Sequence, residues 1–407
     1  MVSRGNLLSQ ILGLVPRVEF ARIVKERSAE RACKGFTSWE QFVAMLFCQL
    51  GQAHSLREIE GGLGSMLGKK IHLGLKSAPS RSTLSYANSH RPWEVYQDVF
   101  YGLFDRAGGM LQGRLKRPFR FKNPLFSMDA TVIELCLAMF PWADFRQTKG
   151  AVKLHMALNH EGYLPVFAHI TEGRTHEIAV ARMLKFPKGS VVAFDRGYND
   201  YAYFGLLCED GVFFATRAKA NIVYEVVEER PVPQRGNIIS DKIIRLASLK
   251  GRKECPYDLR LVEVLVPETG EVLVFLTNQL AFGPTTIAAI YKERWQIELF
   301  FKSIKQNLRI KTFVGTSRNA LYTQIWTALI AILMLKILAL KSKLGWSLST
   351  LAALLRWNLF AYRDLWEWVD NPCAPPPYEE LYEQPGLFDG LLGQHPAKTE
   401  KGGLILK

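Results

Sequence analysis

Residues 124–216 carry the pattern that most limits how this chain can fold, because two of its apolar strands run directly into an aspartate. The run from Phe126 to Met128 leads into Asp129. The continuous apolar strand from Val191 to Phe194 ends at Asp195. If these two strands are neighbours in one sheet, the two carboxylates lie side by side. Each aspartate by itself is more often a strand-end cap or a turn residue.

The elements between and after these strands predict a mixed α/β fold. Apolar residues alternate with polar ones over 152–158 and 164–170, around a turn at Glu161-Gly162, which predicts a long antiparallel hairpin. Thr175 is a candidate cap for a helix to about residue 186. A helix over 200–208 and a strand over 212–216 complete the order of three strands, helix, strand, helix and strand.

The stretch from Tyr291 to Lys305 predicts a helix that carries both acidic and basic side chains on one face. It follows Pro284 and contains neither Gly nor Pro. At about 100° per residue, one stripe holds Tyr291, Arg294, Glu298 and Lys305. The adjacent stripe is apolar, so we expect it to be packed in the core: Leu299, Phe300, Phe301 and Ile304. The simplest interpretation of Arg294 and Glu298 is an i,i+4 ion pair.

Residues 1–122 are predicted to form a helical domain that ends in a basic linker. They hold 19 Lys/Arg against 9 Asp/Glu, which is most of the net charge of +14. Ser38 with Gln41 and Ser55 with Glu58 fit capping boxes. A further helix opens after Ser80, and its polar side chains are candidates for reading DNA: Arg81, Ser82, Thr83, Asn88 and Arg91. An ordinary capped surface helix would have the same composition.

The remaining boundaries come from turns and from changes in composition. Residues 123–217 are predicted to be the first part of a catalytic domain, 218–283 a β-rich insertion, and 284–370 the second part with C-terminal helices. Residues 325–340 are apolar but short for a membrane span, so we expect a buried core helix and no membrane contact. The Pro- and Gly-rich residues 371–407 are predicted to be a flexible tail.

Charge and cysteine usage limit the partners and the compartment. A pI near 9.4 with 12% aromatic residues favours a folded protein with a polyanionic partner. The six cysteines form no CxxC pair and have no zinc-type spacing with histidine, which is typical of reduced thiols in the cytoplasm. No secretion signal is expected at the N-terminus.

Two aspartates and a glutamate on a common sheet and helix could hold two divalent ions about 4 Å apart, which is the arrangement used to cleave phosphodiesters. Hard oxygen ligands suit Mg²⁺ or Mn²⁺ better than zinc. Asp129, Asp195 and Glu298 are therefore the candidate catalytic residues and metal ligands. The pattern favours a metal-dependent enzyme that acts on nucleic acid.

Several ordered motifs resemble those of bacterial DDE transposases of the insertion-sequence-four family. Tyr291, Arg294, Glu298 and Lys305 match the Tyr-x2-Arg-x3-Glu-x6-Lys signature of that family. The segments S-M-D-A-T and V-V-A-F-D-R-G-Y are similar to its two aspartate motifs, and T-E-G-R-T-H-E and L-T-N also resemble it. Together the motifs cover roughly residues 15–365, and their order makes the resemblance specific.

The resemblance implies an RNase H-like catalytic domain that is interrupted by the β-rich insertion. It implies that Asp129, Asp195 and Glu298 bind metal and that Tyr291, Arg294 and Lys305 contact the terminal phosphate. Related enzymes cut and paste DNA as dimers on paired transposon ends, through hairpin-ended intermediates. Trp295 and Lys302 on the same helix are further candidate DNA contacts; Trp295 could stack on a displaced base or pack in the core.

Two alternatives and one smaller motif remain open. An RNase H-like nuclease without strand transfer would use the same three carboxylates, and an inactive DNA-binding relic would keep only recognition by the N-terminal helices. In the tail, Gln384, Leu387 and Phe388 resemble the Gln-x-x-Leu-Phe peptide that binds bacterial sliding clamps. Such a short motif also recurs by chance.

Overall fold

The computed structural model describes residues 5–31, 33, 35–66, 70–146, 149–310 and 312–374. These residues form fourteen α-helices and ten β-strands. The helices are α1 Leu7–Leu12, α2 Arg17–Glu26, α3 Ser38–Leu50, α4 Leu56–Gly64, α5 Arg81–His90, α6 Glu94–Met110, α7 Glu177–Ala181, α8 Tyr201–Glu209, α9 Leu249–Glu254, α10 Pro284–Glu293, α11 Trp295–Asn307, α12 Arg318–Lys341, α13 Leu348–Asn358 and α14 Leu365–Asp370.

The ten strands belong to one mixed sheet. They are β1 Leu125–Leu135, β2 Asp144–Arg146, β3 Lys149–Asn159, β4 Leu164–Glu172, β5 Val191–Phe194, β6 Phe213–Arg217, β7 Tyr224–Glu229, β8 Ile238–Leu246, β9 Leu259–Leu265 and β10 Val272–Thr277. The order is β2-β3-β1-β5-β6-β10-β9-β8-β7, and β4 pairs with β3. β1, β5 and β6 are parallel, and the predicted hairpin is the antiparallel pair β3–β4.

The parallel pairing of β1 with β5 makes the first and fourth strands neighbours, as predicted. Its register matches Leu125 with Val191 and Met128 with Phe194. β1 does not end at Asp129, however, but continues to Leu135 in a ten-pair antiparallel ladder with β3. Asp129 therefore lies within a long central strand, where the backbone is fixed by β3 on one side.

The strands of residues 218–283 extend the central sheet. β10 pairs with β6, and β9, β8 and β7 follow it outward as an antiparallel meander. Arg260 on β9 and Asp241 on β8 form an ion pair that is almost completely buried, with two hydrogen bonds of 2.7 Å. The segment thus begins and ends on strands of the same sheet, and the chain enters α10 directly after β10.

Helix α12 joins the N-terminal helices to the catalytic half of the chain. It packs against α3, α5 and α6 and also against β4 and α11. Most of its apolar stretch is buried, so it is the core helix that the sequence predicts, although its length and hydropathy would suit a membrane span. One apolar cluster includes residues of α3, α6, β3 and α12. The predicted boundary at residue 122 therefore does not divide the hydrophobic core.

Two predicted helix ends differ from the structure. Thr37, not Ser38, caps α3, because its hydroxyl accepts from Glu40 N while the Glu40 carboxylate accepts from Thr37 N. The helix expected after Thr175 is only α7, because successive i→i+3 hydrogen bonds end it after Ala181. Among the C-terminal helices predicted within 284–370, α13 and α14 are separate, and Asp364 caps the second of them.

Candidate active site

The register of β1 and β5 brings Asp129 and Asp195 to neighbouring positions. Both follow the last matched pair of the parallel ladder, so both side chains leave the same face of the sheet. Asp129 Oδ1 accepts from Ala130 N at 2.8 Å, and Asp195 Oδ1 accepts from Gly197 N at 2.9 Å. A Cβ at Gly197 would lie only 3.0 Å from Asp195 Oδ1, so this glycine gives the carboxylate room.

Arg294 connects the Glu298 carboxylate of α11 to the central sheet. Its Nη2 donates to Glu298 Oε1 at 2.7 Å, and its Nη1 lies 3.6 Å from Asp129 Oδ2. Its side chain is 12% exposed, so both interactions occur in a partly desolvated setting. The ion pair of Arg294 with Glu298 is therefore not a solvated surface pair, because it also includes Asp129 of the central strand.

The Asp129 carboxyl is strongly perturbed. Burial is the main cause that raises its pKa to about 7, and the negative charges of Asp195 and Glu298 add to the effect. The Ala130 N–H and the Arg294 guanidinium oppose it.

Nearby, the buried hydroxyl of Tyr198 has no hydrogen-bond partner among the described residues. Burial, followed by the charges of Asp129 and Asp195, raises the pKa of Tyr198. The site thus concentrates negative charge that a cation would relieve.

The predicted helix over 291–305 is not continuous. It is interrupted at Arg294, where Arg294 N donates to Tyr291 O and Ile297 N donates to Arg294 O in i→i+3 bonds. No Gly or Pro causes this change. The backbone tightens at Arg294, whose side chain turns to the sheet. The sequence pattern predicted one continuous helix because Asp129, the partner of Arg294, is distant in sequence.

Lys305 and Tyr291 lie on either side of Arg294 in the sequence. Lys305 Nζ donates to Thr131 Oγ1 at 2.6 Å and to Val132 O at 3.1 Å, both on β1. The ring of Tyr291 packs on Phe275 with centroids 4.8 Å apart, and burial raises its pKa. Arg294 and Lys305 therefore contact β1, whereas Tyr291 packs on β10.

The outer face of α11 presents three further side chains. Trp295 is 53% exposed, so it is available to a ligand and is not packed in the core. Lys302 is also exposed. Leu299 is 43% exposed, contrary to its predicted place in the buried stripe, whereas Phe300, Phe301 and Ile304 are buried.

The candidate DNA-reading residues of α5 fall into two groups. Arg81, Ser82 and Thr83 are exposed at the helix start, where Arg81 lies 3.4 Å from Glu60. Asn88 is buried, and its side-chain oxygen accepts from Gln41 Nε2 at 2.9 Å. Arg91 donates to Gln41 Oε1 and to the Phe36 carbonyl. Asn88 and Arg91 therefore hold α5 against α3, which is a correction to their expected role in an interface.

The sequence patterns do not reveal a series of interacting polar side chains next to the site, which we call the buried polar chain. Ser127 Oγ and His160 Nε2 are 2.6 Å apart, and His160 Nδ1 lies 3.5 Å from Glu293 Oε2. The Tyr163 hydroxyl donates to the same Glu293 oxygen at 3.1 Å. Ser127 precedes Asp129 by two residues and Glu293 precedes Arg294, so this chain links β1 to the α10–α11 junction. Its members are far apart in sequence, and no local motif marks them.

The donor set fits a hard divalent cation in its chemistry. Asp129, Asp195 and Glu298 offer only carboxylate oxygens, and the charges of the other two add to the burial that raises the pKa of Asp129. Within the described ranges, no group of three or more His, Cys, Asp or Glu side chains is already arranged around one metal position. Arg294 instead bridges two of the three carboxylates.

Comparisons with known proteins agree with this arrangement. The family model described as a transposase DDE domain matches residues 120–334, and a model described only as a domain of unknown function matches residues 3–76. A putative transposase, y4zB, of Sinorhizobium fredii is 31% identical over 314 residues, which cover 76% of this chain and 84% of the relative. A probable transposase for the insertion sequence IS5377 of Geobacillus stearothermophilus is 28% identical over 61% of this chain and 65% of the relative.

Two more distant similarities complete the comparison. A putative transposase for the insertion sequence IS4SA of a Synechocystis strain is 25% identical over 65% of this chain and 73% of the relative. A piggyBac transposase, solved as a synaptic complex with hairpin DNA, has a TM-score of 0.40 and 11% identity, covering 97% of this chain and 84% of its own. The latter score is too low to support a conclusion.

The strand order β4-β3-β1-β5-β6, with helices packed on both faces, is an RNase H-like catalytic fold. The chain belongs to the DDE transposase family. It is an enzyme of DNA transposition whose family depends on divalent metal and acts on DNA. Membership of the insertion-sequence-four branch stays a prediction from the Tyr-Arg-Glu-Lys signature.

Proposed function

We propose that this transposase binds the inverted-repeat ends of its own insertion sequence, cleaves them and joins them to target DNA by a cut-and-paste route. The observation that carries the proposal is the junction of three carboxylates. The β1–β5 register places Asp129 beside Asp195, and Arg294 connects Glu298 to Asp129. Hydrolysis of the phosphodiester and its transesterification need the same carboxylates, so one site serves both steps.

Asp129, Asp195 and Glu298 would hold two divalent ions, Mg²⁺ or Mn²⁺. When bound, the ions activate a nucleophilic oxygen and stabilise the leaving oxygen of the phosphodiester. The chain's own cations orient the DNA. Arg294 and Lys305 lie beside the carboxylates and bind the terminal phosphate. Lys305 would exchange its bond to Thr131 for the phosphate oxygen.

Further residues around the site extend this interface. Tyr291 would contact the terminal phosphate, Trp295 offers an exposed aromatic face to a displaced base, and Lys302 lies on the same outer side of α11. On α5, Arg81, Ser82 and Thr83 remain candidates for groove contacts. Asn88 and Arg91 are left out because they hold α5 to α3.

The assembly and its location follow from the same chemistry. Two transposon ends must be joined in one reaction, so we place two copies of the chain on the DNA as a homodimer. The activity belongs where the DNA lies, in the bacterial cytoplasm at the nucleoid. The clamp-binding motif with Gln384, Leu387 and Phe388 lies outside the described residues and is proposed from sequence alone.

The test is cleavage of a duplex that carries the inverted repeat flanking this reading frame. Wild type with Mg²⁺ should cut at the repeat boundary, as resolved on a denaturing gel. Glu298→Gln should reduce the rate at least about 100-fold while DNA affinity stays within about twofold, because the change removes one charge and no basic surface. Glu268→Gln, an exposed glutamate in the β9–β10 turn, is the matched control.

The outcomes separate the candidates. Cleavage by Glu298→Gln at the wild-type rate would remove Glu298 from the site. Cleaved ends that never join to target DNA would identify a nuclease without strand transfer. Specific binding without cleavage in either Mg²⁺ or Mn²⁺ would identify a DNA-binding relic.

A further inference from the structure

The N-terminal helices enclose a cleft far from the carboxylates in sequence. It lies between α2 and the start of α3, has a volume of about 800 Å³, and is lined by Arg17, Phe20, Val24, Lys25, Arg31 and Trp39, among others. A second cavity of about 430 Å³ shares Gly74 with it and adds Lys70 and Lys76. We call the two together the cationic cleft. All of these residues fall in the region matched by the domain of unknown function.

Charge is distributed unevenly around this cleft. Of the charged residues of α2 that point elsewhere, Glu19 pairs with Arg106, Arg22 with Glu26, and Arg27, just after the helix, with Asp98. In contrast, Arg17, Lys25 and Arg31 make no ion pair or side-chain hydrogen bond with any residue that the structure describes.

The one acidic residue in the described lining is already engaged. Glu30 Oε1 accepts a hydrogen bond from Ser38 N. Glu30 keeps its negative charge, and Glu40 also attracts Arg17. The lining still carries an excess of positive charge, because Arg17, Lys25 and Arg31 outnumber Glu30. An anionic ligand with several charges would complement it.

The floor of the cleft holds Arg17 in a defined position. Its guanidinium lies 3.7 Å from the centre of the Trp39 ring, and burial lowers its pKa. Trp39 is fixed in turn, because its Nε1 donates to Leu73 O at 2.8 Å and Phe20 packs edge-on against it. Stacking uses the face of the guanidinium, and Gly74 gives its Nη2 end room, because an added Cβ at Gly74 would overlap it. N–H groups of Arg17 that make no hydrogen bond with a described residue can donate to an oxygen ligand.

We propose that the cationic cleft binds the phosphate backbone of the DNA on which the transposase acts. The inference rests on the proposed function, and it gives a role to a region that family comparison leaves without one. Phosphate contacts position DNA and carry no sequence information. The cleft should therefore add affinity for any duplex, whereas recognition of the terminal repeat comes from elsewhere on the protein.

The test measures DNA affinity against salt concentration for wild type and for Arg17→Gln/Lys25→Gln/Arg31→Gln. Fluorescence anisotropy in EDTA, with a terminal-repeat duplex and an unrelated duplex, keeps binding separate from cleavage. Each lost phosphate contact should reduce the slope of log K against log salt by about 0.9, so the triple variant should lose roughly 2 to 3. The loss should be equal for both duplexes.

A matched control removes the same charge elsewhere. Arg22→Gln/Lys185→Gln/Lys343→Gln changes three exposed cations of surface ion pairs and should leave the slope within about 1 of wild type. Lys25→Gln/Arg31→Gln keeps the stack of Arg17 on Trp39 and should still lose about 2, which guards against a folding defect in the triple variant.

Two outcomes would overturn the inference in different ways. If wild type binds DNA and the cleft variants have the slope of the control, the cleft is not a phosphate site and the proposed function stands. If wild type binds neither duplex, the proposed function fails together with the inference.

Discussion

Lys336 allows the packing of α12 against α11 to be tested through pH. It lies on α12, is only 9% exposed, and makes no ion pair with a described residue. Its ammonium instead lies 5.3 Å from the ring of Phe300 on α11 and 6.0 Å from that of Tyr163. Burial lowers its pKa from 10.5 to about 8. A charged lysine therefore remains in an apolar setting at neutral pH.

The magnitude follows from this difference. A pKa lowered by about 2.5 is worth roughly 3 kcal/mol, since each unit corresponds to about 1.4 kcal/mol. Below pH 8 the lysine is protonated in both states, so the full cost is present. Between pH 8 and 10.5 the unfolded state binds one proton more than the folded state, so stability rises with pH. The Tyr163 hydroxyl, whose pKa is raised to about 12, stays neutral over that range.

Lys336→Met should therefore raise the free energy of unfolding by up to about 3 kcal/mol at pH 7, and by much less at pH 10. Urea unfolding of wild type and variant at the two pH values measures the difference, in which other titrating groups cancel. Lys343→Met, an exposed lysine just after the same helix, should change stability by less than about 0.5 kcal/mol at either pH. A Lys336→Met protein no more stable than wild type at pH 7, or a gain that persists unchanged at pH 10, would refute the reasoning.

Two other predictions concern the buried polar chain and the tail. His160→Leu should reduce cleavage about 10- to 100-fold with little change in DNA affinity, because it disconnects Ser127 on β1 from Glu293 at the α10–α11 junction; His169→Leu on β4 is the control, and an equal loss of binding would contradict a positioning role. Leu387→Ala/Phe388→Ala should abolish capture of the chain by the bacterial sliding clamp, and capture at the wild-type level would remove the motif.

The comparison of sequence and structure shows where local pattern was sufficient. The alternation over 152–158 and 164–170 predicted the β3–β4 hairpin, and the apolar run ending at Phe194 predicted β5. Both patterns follow from side chains that alternate or are buried on both faces, which a short window of sequence records. The strand order and the two aspartate motifs then indicated the fold class and the family.

What only the tertiary structure decided depends on residues that are distant in sequence. The break at Arg294 accompanies its contact with Asp129, and the roles of Asn88 and Arg91 come from their bonds to Gln41 and Phe36. The polar chain from Ser127 through His160 to Glu293 likewise joins three separate elements. A sequence window contains only one partner of each such contact. The sequence by itself therefore determined the elements, the family and the candidate carboxylates, whereas packing decided which polar side chains face the site and which hold the fold together.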